Sequence, residues 1–76
     1  MSFEIRIPSL GAGMSEGKLV EWHAQDGAAV KTGDLLYTLE SEKTAQEIEA
    51  QADGTLRIAA AADEIYPVGE LIGTIG

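Results

Sequence analysis

The sequence predicts an all-β fold, two similar sheets packed face to face, and three observations carry that expectation. Short runs alternate apolar and polar residues with the two-residue period of a strand. Glycines, prolines and Asp-Gly pairs separate these runs at short intervals, and no helix of useful length is found among them. The third observation is an internal repeat: Val30-Lys31-Thr32-Gly33-Asp34-Leu35-Leu36-Tyr37-Thr38-Leu39 lies over Tyr66-Pro67-Val68-Gly69-Glu70-Leu71-Ile72-Gly73-Thr74-Ile75 at a constant offset of 36. Upstream, Gly17-Lys18-Leu19 matches Gly54-Thr55-Leu56 at an offset of 37, one residue having been lost between. A duplicated β unit buries the apolar side of each copy most simply against the other, about a pseudo-twofold axis.

The first strand is Phe3, Ile5 and Ile7 alternating with Glu4 and Arg6, and it ends at Pro8, which cannot donate to a ladder. Ser9 to Gly17 holds three glycines and is a loop; it lacks the Gly-Lys-Ser/Thr ending of a phosphate-binding loop, and no helix pattern follows. Lys18 to Ala24 is the second strand, with Val20, Trp22 and Ala24 on one face and Lys18 and Glu21 at the surface. Trp22 is expected to be core packing and His23 a strand-surface residue. No serine, cysteine or second histidine is placed to make a nucleophile or metal site with His23. Gln25-Asp26-Gly27 is a turn, Ala28 to Val30 a brief extended piece, and Lys31 to Asp34 another turn.

Leu35 to Ala50 reads as a hairpin. Leu35, Tyr37 and Leu39 share one face of its first arm, with Leu36, Thr38 and Glu40 on the other. In the second arm Ile48 and Ala50 oppose Glu47 and Glu49. The connection Ser41-Glu42-Lys43-Thr44 has no Asn-Gly or Asp-Gly, so a turn longer than the tight primed type is expected. Lys43 then stands at the tip, ringed by Glu40, Glu42, Glu47 and Glu49. Past the turn at Asp53-Gly54, Leu56, Ile58 and Ala60 alternate as a strand. Ala59 to Ala62 is too short to nucleate a helix and reads as strand end and loop. Pro67 and Gly69 precede a last strand, Leu71 to Ile75.

The 76 residues make one domain, residues 1–76. With no cysteine and a single histidine, neither disulfides nor a structural metal are at hand, and stability must come from the core. Five basic and thirteen acidic residues give a charge of −8, which repels nucleic acid and anionic membranes. No run approaches the roughly 20 apolar residues that span a bilayer, and the N-terminus lacks a signal-peptide layout. A soluble, cytoplasmic, monomeric domain is expected.

Two motifs carry a family resemblance. Glu40-Ser41-Glu42-Lys43-Thr44, preceded by Gly33-Asp34-Leu35 and followed by Glu47 and Gly54, resembles the attachment motif of lipoyl domains. Pro8, Leu10, Gly11, Met14, Glu16 and Gly17 match that family's loop Pro-x-Leu-Gly-x-x-Met-x-Glu-Gly. The resemblance runs from about Ile5 to Ile75. It implies a flattened barrel or β-sandwich of two four-stranded antiparallel sheets, with the lysine turn at one extremity. It implies that Lys43 carries lipoic acid in amide linkage. Glu42, Thr44 and Glu40, with Leu10, Gly11 and Met14 of the neighbouring loop, are then recognition residues.

In the family the domain is a carrier rather than an enzyme, in some cases the N-terminal part of a dihydrolipoyl acyltransferase. A lipoate ligase or lipoyl transferase loads it. In 2-oxo acid or acetoin-type dehydrogenase complexes a thiamine-dependent component then reductively acylates the dithiolane. The acyltransferase core passes the acyl group to coenzyme A, and a flavin-dependent dihydrolipoyl dehydrogenase reoxidises the arm. For an excised mitochondrial domain the matrix replaces the cytoplasm as the expected location. The chain departs from the family at Glu42, where Asp is usual, at Thr44, where Ala is common, and at Asp63, where Gly is common. Asp63 is expected to tolerate a left-handed backbone at modest cost.

Two other readings stand beside this one. A biotinyl carrier would share the fold and the hairpin-tip lysine, but its lysine lies between methionines, and Glu42-Lys43-Thr44 has neither. An unmodified β-sandwich interaction module needs no lysine at its tip. The acidic side chains near Lys43 are expected to be a solvated rim rather than a hard-cation site.

Overall fold

Residues 2–76 are described by a computed structural model. Eight strands follow one another without a helix among the described residues: β1 (Phe3–Arg6), β2 (Glu16–Trp22), β3 (Ala29–Val30), β4 (Leu35–Glu40), β5 (Ala45–Glu49), β6 (Gly54–Ile58), β7 (Glu64–Pro67) and β8 (Leu71–Ile75). They form two four-stranded sheets, ordered β1-β8-β6-β3 and β5-β4-β2-β7, with every pairing antiparallel. The two sheets keep separate edges. The architecture is therefore a β-sandwich and not a closed barrel.

The internal repeat is written into the topology. Exchanging β1 with β5, β8 with β4, β6 with β2 and β3 with β7 turns one sheet order into the other. Local details repeat as well. Gly33 and Gly69 both have positive φ and donate to Ala50 O and Ile7 O, respectively. Gly27 donates to Leu56 O, and its counterpart Asp63 donates to Leu19 O. Asp63 is the only non-glycine with positive φ among the described residues, at 65°, as expected of an Asp standing at a glycine position.

Each half contributes strands to both sheets, so neither half can bury its apolar face alone. Leu19, Leu36, Tyr37, Leu39, Leu56, Ile72 and Ile75 are almost fully buried between the sheets. Trp22 packs at the edge of this core, its ring 5.3 Å from that of Tyr37, and donates Nε1–H to Ala60 O at 3.0 Å. Burial pushes the Tyr37 phenol up to about 12.

Three β-bulges set which side chains reach the core, and they correct the plain alternation. Leu35 pairs with Glu49 and Tyr37 with Ile48, leaving Leu36 as the extra residue. The extra residue shifts the phase, so Leu36 and Tyr37 are both buried and Leu35 is exposed. Ile72 is the matching bulge on β8, between the pairs Ile5–Gly73 and Arg6–Leu71. On β2 the bulge falls at Val20, so Leu19 enters the core, Val20 is only half-buried, and Trp22 still faces inward. β7 is the strand that sequence periodicity misses. It has four residues, ends on a proline and pairs with β2 at the sheet edge.

An acidic side chain fastens two turns at one end of the sandwich. Asp53 Oδ1 accepts from Thr32 N–H at 2.7 Å and from Thr32 Oγ1–H at 3.0 Å. The backbone bond above all, then the hydroxyl, holds the Asp53 carboxyl below its ordinary value of 3.8. A depressed folded-state pKa stabilises the fold above that ordinary value, and the contribution is lost as pH falls through the depressed one. Asp53→Asn is therefore expected to flatten the acid limb of a plot of melting temperature against pH, below about pH 4, relative to wild type. An unchanged acid limb would show that this carboxylate is not coupled to folding.

Candidate functional site

The site is built from the β4–β5 hairpin and the glycine-rich loop between β1 and β2. The hairpin's last strand pair is Glu40 with Ala45, and Ser41 N–H donates to Thr44 O at 2.7 Å just beyond it. Ser41 Oγ–H donates to the same carbonyl at 3.2 Å. The chain reverses over Glu42 and Lys43, and no residue there has positive φ, so the turn is not of the primed type. Glu42, Lys43 and Thr44 are all exposed.

Lys43 makes no ion pair among the described residues; the pairs present are Arg6–Glu4 and Lys18–Asp63. Glu40 and Glu42 lie at the tip, as expected. Glu47 and Glu49 do not ring it: they pair with Thr38 and Leu35, and Glu49 is four strand steps below Ala45, about 14 Å at ~3.4 Å per residue. No group of three or more His, Cys, Asp or Glu side chains could hold a metal among the described residues.

Bonds within the glycine loop fix its own shape. Met14 N–H donates to Gly11 O at 3.3 Å, Leu10 N–H donates to Met14 Sδ at 3.0 Å, and Ser9 Oγ–H donates to Gly11 O at 2.9 Å. Gly13 takes φ 79°, which a residue with a Cβ rarely adopts. Leu10 and Met14 are half-buried against the core, whereas Gly11 is exposed. Among the loop's glycines Gly17 is the closely packed one: a Cβ there would lie 2.8 Å from Met14 Cε and 3.0 Å from Leu39 Cδ1.

Loop and hairpin enclose an open concavity of about 720 Å³. The structure thus brings together Leu10, Gly11 and Met14 with Glu40, Glu42, Lys43 and Thr44 around one space. Lys18 and Ile65 also line it, and the sequence did not single out either for this site. Ile65 sits on β7, hidden by Pro67; the repeat held the signal, since its offset of 36 sets Ile65 over Ala29 of β3. An exposed amine at the apex, clear of ion pairs, is what an amide-linked prosthetic group requires of its lysine.

The biotin/lipoyl family model, described as "Biotin-requiring enzyme", matches residues 3–75. The dihydrolipoyllysine-residue succinyltransferase component of the 2-oxoglutarate dehydrogenase complex of Rickettsia felis is 40% identical over 76 residues, covering 99% of this chain and 19% of that protein. The dihydrolipoyllysine-residue acetyltransferase component of the pyruvate dehydrogenase complex of Zymomonas mobilis is 34% identical over 77 residues, covering 99% of this chain and 18% of that protein. The chain thus spans about a fifth of the length of these relatives. Among solved structures, the lipoyl domain of the 2-oxoglutarate dehydrogenase complex from Azotobacter vinelandii superposes with a TM-score of 0.80 at 30% identity, covering 96% of this chain and 94% of that one.

Proposed function

The chain belongs to the biotin/lipoyl family and has the lipoyl-domain fold, and from that premise we propose that it is a lipoyl carrier whose Lys43 bears lipoic acid in amide linkage. The observation that carries this reading is the placing of Lys43: an exposed amine at the apex of the β4–β5 turn, without an ion pair among the described residues and beside the glycine loop. Its neighbours Glu42 and Thr44 separate it from the methionine-flanked lysine of biotinyl carriers.

The hairpin's role is presentation. Paired strands hold the turn, so the amine projects from one fixed place and a loading enzyme can read it together with Glu42, Thr44, Glu40 and the loop residues Leu10, Gly11 and Met14. When bound, the lipoyl group supplies a disulfide for acyl carriage and electron exchange. The protein supplies position and recognition. A tether of this kind raises the effective concentration of the carried group at each partner far above that of the free compound.

The partners in this reading are a lipoate ligase or transferase, a thiamine-dependent dehydrogenase component, an acyltransferase core and a flavin-dependent dihydrolipoyl dehydrogenase. They act in the cytoplasm, or in the matrix for a mitochondrial complex. The substrate class is a 2-oxo acid, as in the complexes named for the relatives.

Intact mass tests the reading. Protein from a host supplied with both lipoate and biotin is expected to carry a lipoyl increment at Lys43. It should also run ahead of the unmodified form on a native gel, because acylation removes one cation from a chain of charge −8. A biotinyl increment would establish the other carrier, and unchanged mass would remove the carrier reading.

A further inference from the structure

The concavity beside Lys43 has an apolar side that presenting an amine does not require. Ile65, on edge strand β7, is 60% exposed, more than any other large hydrophobic side chain among the described residues. It faces the same space as Leu10 and Met14, whose inner surfaces pack on the core. Gly11, Gly13 and Gly17 put no side chain into that space, which keeps it open. The turn that carries Lys43 lines the same space. Charged side chains share the lining, Glu16, Glu40 and Glu42 with Lys18, and Lys18 Nζ lies 3.2 Å from Asp63 Oδ1.

We infer that this concavity is a resting site for the distal, disulfide-bearing end of the arm on Lys43, with Leu10, Met14 and Ile65 as its apolar wall. The inference rests on the attachment proposed above and adds a place for the arm between transfers. Three physical points support it. Acylation converts the Lys43 ammonium to a neutral amide, so the arm approaches an apolar wall with no charge to desolvate. A hydrocarbon chain ending in a disulfide gains by burial at about 25 cal/mol per Å² of apolar surface, and a thioether such as Met14 adapts to a soft, polarisable neighbour. The arm is already tethered at the rim, so a contact too weak to bind a free molecule still populates the docked state. The space, about 720 Å³, falls within the usual range of small-molecule sites.

Docking would shield the disulfide when no partner is present. A partner that occupies the glycine loop and the tip would displace the arm and free it. Ile65 is the residue to test, because it is exposed on an edge strand and its replacement leaves the core untouched.

The experiment compares NMR spectra of isotope-labelled protein, unmodified and lipoylated, in wild type and in Ile65→Ser, with intact mass confirming the modification in each sample. In wild type, lipoylation is expected to shift the signals of Leu10, Met14 and Ile65 as well as those of the turn. In Ile65→Ser the shifts at Leu10 and Met14 should be largely lost, and a phosphine should reduce the arm's disulfide faster than in wild type. Full modification with shifts confined to Ser41 to Ala45, or equal reduction rates in the two proteins, would overturn the resting site and leave the carrier reading standing. Absence of the mass increment would instead defeat the attachment itself, and the resting site with it.

Discussion

Leu36→Ala is expected to destabilise the domain by about 2–5 kcal/mol, whereas Leu35→Ala should cost less than about 1 kcal/mol. The two residues are chemically identical neighbours, so the difference depends only on where the chain points them. Leu36 is 2% exposed and Leu35 is 39% exposed. Strict alternation would reverse the order, with Leu35 sharing the core face of Tyr37 and Leu39. The bulge at Leu36 decides the matter. A chain of 76 residues has a total stability of about 4–11 kcal/mol. Leu36→Ala should therefore lower the melting temperature by about 8 °C or more, at about 4–8 °C per kcal/mol. Thermal melts of the two variants measure this directly, and equal losses would refute the placing of the bulge.

The same pair shows what periodicity can and cannot convey. Seven of the eight strands, the hairpin with Lys43 at its tip, the glycine loop and the duplicated plan were legible in the sequence, and the family resemblance set the loop beside the hairpin. Each rests on local chemistry: alternation, glycine and proline, and a repeated Gly-acid-Leu. Bulges have no such local sign, because Leu35 and Leu36 are the same residue type and the extra position is set by pairing with β5. Val20 was misassigned for the same reason, and Leu19, at 0% exposure, went unnoticed behind it. β7 was hidden by Pro67, although its counterpart β3 was read as extended. Ile65 was lost with β7. The supposed ring of four glutamates failed on distance along the strand: facing direction was read correctly, but Glu47 and Glu49 lie too far from the tip.

Lys43→Ala should abolish cofactor attachment completely while changing stability by less than about 0.5 kcal/mol. The amine is exposed and makes no ion pair among the described residues, so its removal costs the fold almost nothing. No other lysine lies in the turn; Lys18 lines the same concavity, but it belongs to strand β2 and is paired with Asp63. Intact mass should show no lipoyl increment in this variant, and its melting curve should overlay that of wild type. A large fall in melting temperature would mean that Lys43 supports the turn rather than merely projecting from it.

The central claim is that the folded hairpin presents an amine at position 43, and moving that amine by one residue tests it most directly. Glu42, Lys43 and Thr44 are all exposed, so access alone cannot distinguish them. Direction can, because neighbouring positions project differently from a turn held by Ser41–Thr44 and Glu40–Ala45 pairing. Two double variants exchange neighbours, Glu42→Lys with Lys43→Glu, and Lys43→Thr with Thr44→Lys, keeping composition and net charge unchanged. Both are expected to fold with wild-type melting curves yet lose most lipoylation, read as intact mass after exposure to a lipoate ligase. Efficient lipoylation of both variants would contradict the account, because the ligase would then be reading a glutamate-rich peptide and not the presented hairpin.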